Sequence, residues 1–428
     1  MAPGRAVQKS AGGNRNWAIL ILTLLLGLPG IALALSGSHV HPLVAASVFG
    51  AGILAGAFLL SWAAEAAELD ISASLAIVIL VLLTVLPEFA VEVVLAWDAG
   101  ASFDPLTREV TPETQRVAAN VTGANRLLIG VGWPAVILVY WFNRRRPLDM
   151  RGQIGPEVTF LTVATLLTVA LYFMEQVHLL VAAALVLVYV CYLWVSIRRP
   201  AGEPELTGIT ALLGSLSAAV RRATVAGMFL YAAAVILVAA DPFVDGLVET
   251  GKGFGIDDFI LIQWVAPLAS ETPEVLVAVL LSLRSNPAAG LTVLLSSEVS
   301  KFTLLVGSMV GVFSLSAGQL LSFPLDHRQA VEFLLTAAFS LFGLLLVARQ
   351  TADWKAGAAL LATFVAHLLF PQPEHRWWMS WAFFGLAATV AVFDWRRLKM
   401  LFLSKAVSPA GSPENRRPPG ASGNPTRR

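Results

Sequence analysis

The sequence predicts an all-α fold, a polytopic transmembrane helical bundle with two inverted repeats. Of its 428 residues 57% are hydrophobic and only 13% are charged, and it contains apolar runs that a soluble domain of this length does not carry. Many of these runs are close to the ~20 residues that cross a bilayer as a helix. In addition, one run in each half contains a Pro-Glu pair and is followed by a run with small polar residues. The lipid bilayer is therefore the first predicted partner.

The overall charge and the cysteine content exclude several other classes of protein. The formal net charge is +1, which argues against an electrostatic partner such as nucleic acid. Cys191 is the single cysteine, so an intramolecular disulfide is impossible and a thiolate metal site is not expected. We predict no cofactor and no protein partner.

The first span follows a polar, basic segment, Met1 to Asn16, which we expect to be disordered and cytoplasmic. The apolar run from Trp17 to Leu35 ends at Ala32-Leu33-Ala34, which resembles a signal-peptide cleavage site. Its length favours an uncleaved helix over a signal peptide. Eleven further spans follow, at about 41–64, 71–97, 115–142, 157–174, 177–197, 223–240, 258–283, 290–315, 328–348, 355–371 and 377–394.

The distribution of Lys and Arg predicts the orientation, because these residues collect in cytoplasmic loops. With the N-terminus inside, alternation of twelve spans places the Arg144-Arg145-Arg146 run and the other basic loops inside. The acidic stretches 98–115 and 241–249 fall outside. We therefore predict an inner or plasma membrane protein with both termini cytoplasmic. Tryptophans near the span ends, such as Trp97, Trp141 and Trp194, are interpreted as interfacial anchors.

The spans divide into two halves that run in opposite directions, which makes the repeats inverted. We expect a ten-helix core with one extra helix at each end. The predicted boundaries are 1–16 for the N-terminal segment, 17–36 for the first extra helix, 41–197 for the first half with its repeat at 71–132, 198–222 for a cytoplasmic connection, 223–371 for the second half with its repeat at 256–311, 377–394 for the last helix, and 395–428 for a basic, disordered tail.

The Pro-Glu spans are the candidate functional site. A charge near the centre of a bilayer costs about 2.5–3.5 kcal/mol on insertion scales, so such residues face a protein interior or a wet cavity. The first span carries Glu88 after a proline, with Glu92 one turn later, and the second carries Glu271 and Glu274 around a proline. Interrupted helices at matching places in inverted repeats indicate a transport site at the midplane. A single intramembrane Glu is as often structural, but the repetition favours function.

The chemistry of these spans suits hard cations. Proline disrupts the hydrogen bond to the carbonyl four residues earlier, which would release the carbonyls of Leu83 and Ala269. Carbonyls beside carboxylates and hydroxyls form an all-oxygen environment of the kind that Na⁺ or Ca²⁺ prefers. Helical spacing places Thr84, Glu88 and Glu92 on one face, and Ser270, Glu271 and Glu274 on another. The two faces meet if the inverted repeats pack together.

The pattern resembles the cation/Ca²⁺ exchanger superfamily, whose repeats carry Gly-Thr-Ser-Leu-Pro-Glu followed by Gly-Asn-x-x-Gly-Ser-Asn in the next helix. The resemblance covers about 41–142 and 223–315. It implies secondary active antiport by alternating access, with Ca²⁺, Na⁺ or H⁺ as the transported small cations. By position it implies Glu88 and Glu274 as the central metal ligands, and as further ion-binding residues Thr84, Asn120 and Asn125 in the first repeat and Ser270, Glu271 and Ser297 in the second.

The sequence also departs from that pattern. Val85 and Glu271 stand at the places of the motif serine, and Lys301-Phe302 replaces the Ser-Asn pair of the second repeat. Lys301 is expected either to pair with Glu298 one turn away or to reach a Glu of the neighbouring span and take the place of a transported ion. The residues predicted to tune the charge of the site are Glu92, Arg126, Glu298 and Lys301.

Three functions remain open from the sequence. The first is cation antiport like that of Na⁺/Ca²⁺ and Ca²⁺/H⁺ exchangers, with H⁺ as the expected coupling ion. The alternatives are monovalent cation (Na⁺ or K⁺)/H⁺ antiport and a non-transporting ion sensor on the same scaffold. An intramembrane enzyme is disfavoured, because the spans contain no HExxH, Ser-Lys or paired-Asp arrangement. Glu65 and Glu68 are interpreted as solvated or snorkelling carboxylates near the inner end of the second span. His39, His41, His327 and His375 are interpreted as loop residues, and His367, late in a span, as a packed or interfacial histidine.

Overall fold

The structure is a computed structural model that describes residues 13–38, 40–70, 73–107, 109–151, 153–198, 206, 208–255, 257–283 and 287–395. The predicted tail after Trp395 and the first twelve residues lie outside this part of the chain. The helices are α1 Gly13–Ser36, α2 Pro42–Ala67, α3 Ala73–Ser102, α4 Pro112–Leu127, α5 Trp133–Arg144, α6 Gly155–Met174, α7 Leu179–Ile197, α8 Ile209–Gly214, α9 Ala218–Phe254, α10 Asp258–Leu283, α11 Pro287–Ser300, α12 Val306–Ser316, α13 His327–Ala348, α14 Trp354–Leu368 and α15 Pro373–Phe393.

Apart from the short α8, which lies in the predicted connection 198–222, the helices follow the predicted spans in order. Within the described residues, eight helices are long and apolar enough to cross a membrane, and a ninth is added when the two arms of the bent α10 count together. Helix α14 is a shorter apolar helix. The chain is therefore a multi-pass membrane protein, while the number of twelve spans stays a prediction.

Two helix boundaries differ from the prediction. Helix α1 begins at Gly13, so the end of the segment predicted as disordered is helical. The acidic stretch 241–249 was predicted to lie outside, beyond the end of the span at 223–240, and α9 continues through this stretch to Phe254 and contains Pro242. The first part of α9 is apolar, and the second part of this helix carries the acidic residues. A helix satisfies its own backbone hydrogen bonds, so it can continue beyond the apolar part into a polar environment.

Of the histidines expected in loops, His41 lies just before a helix, whereas His327 and His375 lie in the first turns of helices. His41 caps α2 by accepting a hydrogen bond from the Leu43 amide, and His327 is the first residue of α13. His375 lies in the first turn of α15, whereas His39 is outside the described residues. Helix starts have free backbone N–H groups, which explains the placement of the His41 ring nitrogen there. His367 is buried among the rings of Trp264, Phe339 and Phe364, as expected for a packed residue.

Two pairs of short strands join the halves and were not predicted. Strand β1 (Leu148–Asp149) pairs antiparallel with β4 (Thr351–Ala352), and β2 (Gln176–Val177) pairs antiparallel with β3 (Phe323–Pro324). The first pair joins two loops that the sequence predicts inside, and the second joins two loops predicted outside. The pairing therefore agrees with the predicted alternation of the spans.

The repeats are alike in a further local feature. A π-helical segment, Leu128–Gly132, continues α4 into α5, and a second one, Lys301–Leu305, continues α11 into α12. Single π-helical turns inside α-helices often occur at functional sites. Each segment belongs to the small-polar helix that follows a Pro-Glu helix, so the symmetry extends to the backbone geometry around the candidate site.

Candidate ion-binding site

Three carboxylates from the two Pro-Glu helices meet inside the protein. Glu88 of α3 and Glu271 and Glu274 of α10 each offer an oxygen, and these oxygens lie within 4.8 Å of one another. All three side chains are buried. Oxygen ligands bind Ca²⁺ at about 2.3–2.6 Å, so two ligands on opposite sides of the ion are up to about 5 Å apart. The separation of the carboxylates therefore fits a cation between them.

Lys301 lies against this cluster. Its side chain is fully buried, and its ammonium donates a hydrogen bond to Glu271 Oε2. The same nitrogen is 3.6 Å from Glu88 Oε1 and 4.0 Å from Glu274 Oε2. Of the two arrangements expected from the sequence, the structure therefore shows contact with the carboxylates of neighbouring helices. Among the described ion pairs, Lys301 has none with Glu298.

The backbone of α10 bends where the site lies. The arms Phe259–Thr272 and Glu274–Leu283 meet at 51°. Proline is the usual cause of such a bend, because it removes an amide donor and displaces the preceding turn. Glu271 precedes the bend and Glu274 follows it, so the two carboxylates belong to different arms of the helix. The interrupted helix expected from Pro273 is thus present in the second repeat.

Glu92 and Asn120 form a separate hydrogen-bonded pair beside the carboxylate cluster. The Asn120 amide donates to Glu92 Oε2 at 2.8 Å, and both side chains are buried. Asn120 was predicted as an ion-binding residue, and in this arrangement its amide nitrogen is engaged by Glu92. Its carbonyl oxygen carries the ligand chemistry that a cation requires.

The other predicted site residues have different surroundings. Asn125 donates to the Val121 carbonyl at 2.7 Å, and Ser270 donates to the Pro267 carbonyl at 3.2 Å. Ser297 and Glu298 are buried, and neither carboxylate oxygen of Glu298 has a hydrogen-bond donor among the described residues. The side chain of Thr84 lies outside the described part of the structure. The direct contacts within the carboxylate cluster are therefore those of Lys301 with Glu88, Glu271 and Glu274.

Arg126 belongs to a second buried network rather than to the carboxylate cluster. Its guanidinium donates to Glu332 of α13 at 2.5 Å and lies over the ring of Trp264 at 5.3 Å. Arg376 of α15 donates to the other oxygen of Glu332, and Gln263 of α10 donates to Glu332 at 3.0 Å. The role of Arg126 as a cation facing the transport carboxylates is therefore not supported by its contacts. We call these residues the Glu332 network.

Sequence reasoning missed Glu332 and Arg376, although a signal was present. Glu332 is a lone acidic residue inside an apolar span, with Thr336 and Ser340 following at helical spacing. Ionisable residues in such spans usually face the interior and pair with one another. Arg376 lies in the first turn of α15, just before the predicted span 377–394. The partnership of the two depends on packing between α13 and α15, which no local pattern specifies.

The fold and the site together define a class of protein. Inverted helical repeats, an interrupted helix and buried carboxylates at the point where the repeats meet are the features of a secondary transporter for small cations. The model of the family "Sodium/calcium exchanger protein" matches residues 41–198 and 224–371, which is more than half of the chain. The chain belongs to this family, and it is a cation/Ca²⁺ exchanger-type transporter of the membrane.

Solved structures agree with this assignment. The crystal structure of the H⁺/Ca²⁺ exchanger CAX is similar with a TM-score of 0.86 and 35% sequence identity, over 92% of this chain and 98% of that one. The structure of native YfkE is similar with a TM-score of 0.59 and 15% identity, over 86% and 99% of the two chains. A structure of the sodium-calcium exchanger NCX_Mj gives a TM-score of 0.50 and 13% identity, over 82% and 100%. Among curated protein sequences none matches the chain significantly.

Proposed function

We propose that the protein is a secondary active antiporter that moves Ca²⁺ across the cell membrane in exchange for H⁺, by alternating access around the buried carboxylates. Glu88 and Glu274 are the central ligands for Ca²⁺, and Asn120, Asn125, Ser270 and Ser297 complete the surroundings of the ion, with Thr84 assigned by its position in the motif alone. The observation that carries the proposal is the meeting of Glu88 with Glu271 and Glu274 within 4.8 Å, across the two repeats.

The choice of Ca²⁺ rests on charge and ligand chemistry. A divalent cation needs about two negative charges from hard oxygen ligands, and Glu88 and Glu274 supply them from opposite repeats. Both are buried, so their charges are little screened by water and need a compensating cation. The bend of α10 between Glu271 and Glu274 provides a place at which the two arms can move separately.

The choice of H⁺ rests on the solved structure with 35% identity, which is that of an H⁺/Ca²⁺ exchanger. Carboxylates that release a metal ion can return with protons bound, because the same oxygens accept either cation. Na⁺ is the second candidate for the coupling ion. Monovalent cation/H⁺ exchange is favoured over Ca²⁺ transport only if the Lys301 ammonium occupies the place of the cation between Glu88 and Glu274 throughout the transport cycle.

Flux in proteoliposomes tests the proposal. We expect purified protein to take up Ca²⁺ when an outward H⁺ gradient is imposed, and to take up little under an outward Na⁺ gradient. Glu274→Gln removes one of the two central charges, and we expect it to abolish the uptake. Asp149→Asn, which alters an exposed carboxylate of strand β1 outside the carboxylate cluster, is the control and should transport normally.

The same assay separates the alternatives. Ca²⁺ uptake that requires the Na⁺ gradient would replace H⁺ by Na⁺ as the coupling ion. Absence of Ca²⁺ movement under either gradient would contradict the proposal, and Na⁺ or K⁺ flux would then be measured under an H⁺ gradient. A protein that binds Ca²⁺ in equilibrium dialysis without moving any cation would be a sensor on the exchanger scaffold.

A further inference from the structure

Two departures from the exchanger pattern contact each other in the folded protein. Glu271 stands where the motif has serine, and Lys301 stands where the next helix has the serine of a Ser-Asn pair. They lie on different elements, α10 and the π-helical segment after α11. The ammonium of Lys301 nevertheless donates a hydrogen bond directly to Glu271 Oε2. An extra negative charge and an extra positive charge have thus been placed side by side within the carboxylate cluster.

The contacts of the ammonium are unequal. Lys301 binds Glu271 directly, whereas Glu88 and Glu274 lie 3.6 Å and 4.0 Å from the nitrogen. A buried ion pair in direct contact neutralises both of its members, because each charge compensates the other where water is excluded. Glu271 and Lys301 therefore leave the net charge of the cluster at the value that Glu88 and Glu274 alone would give it. The net charge of these two carboxylates balances the charge of one divalent cation.

We infer that Glu271 is a positioning residue that holds the Lys301 ammonium, so that Glu88 and Glu274 stay available to Ca²⁺, and that it is not itself a Ca²⁺ ligand. This inference rests on the proposed function for the choice of ion. It changes the role of Glu271, which the sequence places among the ligands. The pair sets ion selectivity: with Glu271 present the ammonium is satisfied, and without it the ammonium competes with the transported cation.

The consequence of removing each partner follows from the distances. When Glu271 is neutralised, the carboxylates within 4.0 Å of Lys301 among the described residues are Glu88 and Glu274, so the ammonium binds the Ca²⁺ ligands. When Lys301 is neutralised, Glu271 adds an uncompensated negative charge and Ca²⁺ binds more tightly. When both are neutralised, Glu88 and Glu274 remain as in the wild-type protein.

A double-mutant cycle on Ca²⁺ binding tests the inference. The dissociation constant is measured by equilibrium dialysis with radioactive Ca²⁺ on the purified full chain in detergent. We expect Glu271→Gln to weaken binding about tenfold or more in the presence of Lys301, and about threefold or less on the Lys301→Asn background, since contacting residues couple. We expect Lys301→Asn alone to strengthen binding. The Arg328→Gln/Asp257→Asn variant, which removes a partly exposed ion pair, should not alter binding.

A ligand role for Glu271 gives the opposite result. If Glu271 coordinated Ca²⁺, its substitution would weaken binding equally with and without Lys301, and that equality would overturn the inference. The charge swap Glu271→Lys/Lys301→Glu is a second discriminating variant. It keeps the ion pair and should therefore retain Ca²⁺ binding. If Glu271 were a Ca²⁺ ligand, the swap would remove that ligand and abolish Ca²⁺ binding in the properly folded protein.

Thermal unfolding without Ca²⁺ provides a readout that does not depend on the transported ion. Lys301→Asn leaves the Glu271 carboxylate buried without its cation, so this variant should unfold at a lower temperature than the double variant Glu271→Gln/Lys301→Asn. An equal or higher unfolding temperature of the Lys301→Asn variant would contradict the pairing. A wild-type protein that binds no Ca²⁺ would instead overturn the proposed function while leaving this comparison intact.

Discussion

Glu332 shows how a single residue connects several helices. Its carboxylate accepts hydrogen bonds from Arg126 of α4, Gln263 of α10 and Arg376 of α15. The family match ends at residue 371, so α15 lies beyond it. The extra helix at the C-terminal end is thereby attached to the helices that carry the site. Sequence reasoning gave this helix no role, and its buried arginine supplies a structural one.

We predict that Glu332→Gln destabilises the protein by about 3–5 kcal/mol, because Arg126 and Arg376 lose their shared carboxylate while remaining buried. The measurement is the unfolding temperature of the purified protein in detergent. Arg376→Met is the comparison: it leaves the pair of Arg126 and Glu332 intact and should cost less. Unchanged unfolding of the Glu332→Gln variant would show that the Glu332 network does not contribute to stability.

At the scale of elements, α4 and α10 approach each other closely at Gly123. A Cβ added to Gly123 would lie 1.8 Å from the backbone oxygen of Gln263, a distance that no side chain can occupy. The absence of a side chain therefore allows the small-polar helix of one repeat to pack against the Pro-Glu helix of the other. Asn120, which hydrogen-bonds Glu92, lies one turn earlier on α4. The crossing thus fixes how the two repeats meet at the site.

Gly123→Ala is expected to separate α4 from α10, with a loss of about 3 kcal/mol or more, since overpacking against the backbone cannot be relieved by a rotamer change. Gly311→Ala is the matched control, because a Cβ at this helical glycine of α12 meets nothing within 4 Å. Circular dichroism melts of both variants in detergent provide the measurement. A Gly123→Ala variant as stable as the control would mean that the two helices tolerate a wider separation.

At the scale of the whole molecule, the two halves also contact each other outside the helical core. The strand pairs β1–β4 and β2–β3 each join a loop of the first half to a loop of the second. Asp70, in the connection between α2 and α3, accepts hydrogen bonds from Arg221 and Arg222 at the start of α9. The neighbouring Arg221, followed by Arg222, lowers the pKa of Asp70 to about 2.

This pKa predicts a contribution to stability that depends on pH. An unfolded Asp has a pKa of about 3.9, so the lower folded value stabilises the protein above about pH 4, and the stabilisation is lost as the pH falls from about 4 to 2. We expect Asp70→Asn to lower the unfolding temperature at pH 7 and to reduce the further fall on acidification. Asp149→Asn, in an exposed pair, should leave both unchanged. Identical acid profiles of wild type and Asp70→Asn would contradict this link.

The helices and the candidate site differ in how far they could be predicted. Apolar length and the positions of Lys and Arg predict the order of the helices, because both follow from the energy of transfer into a bilayer. Apolar length and charge do not predict that α9 continues past Asp241, since a helix is stable both in the bilayer and in the polar environment beyond it. Proline chemistry predicts the break in α10, and the repeated Pro-Glu pairs predict which carboxylates meet.

The sequence by itself determined the membrane class, the order of the membrane helices, the inverted repeats and which Pro-Glu carboxylates can meet, because each depends on local composition or spacing. The tertiary structure alone decided which charges are paired. From the sequence, Lys301 could pair with Glu298 one turn away or with a Glu of the neighbouring span, and packing placed it against Glu271. Arg126, expected at the carboxylates, is directed to Glu332, 206 residues away in sequence. A buried charge pairs with the opposite charge that the fold places nearest to it, because the attraction is weakly screened inside a protein and falls with distance.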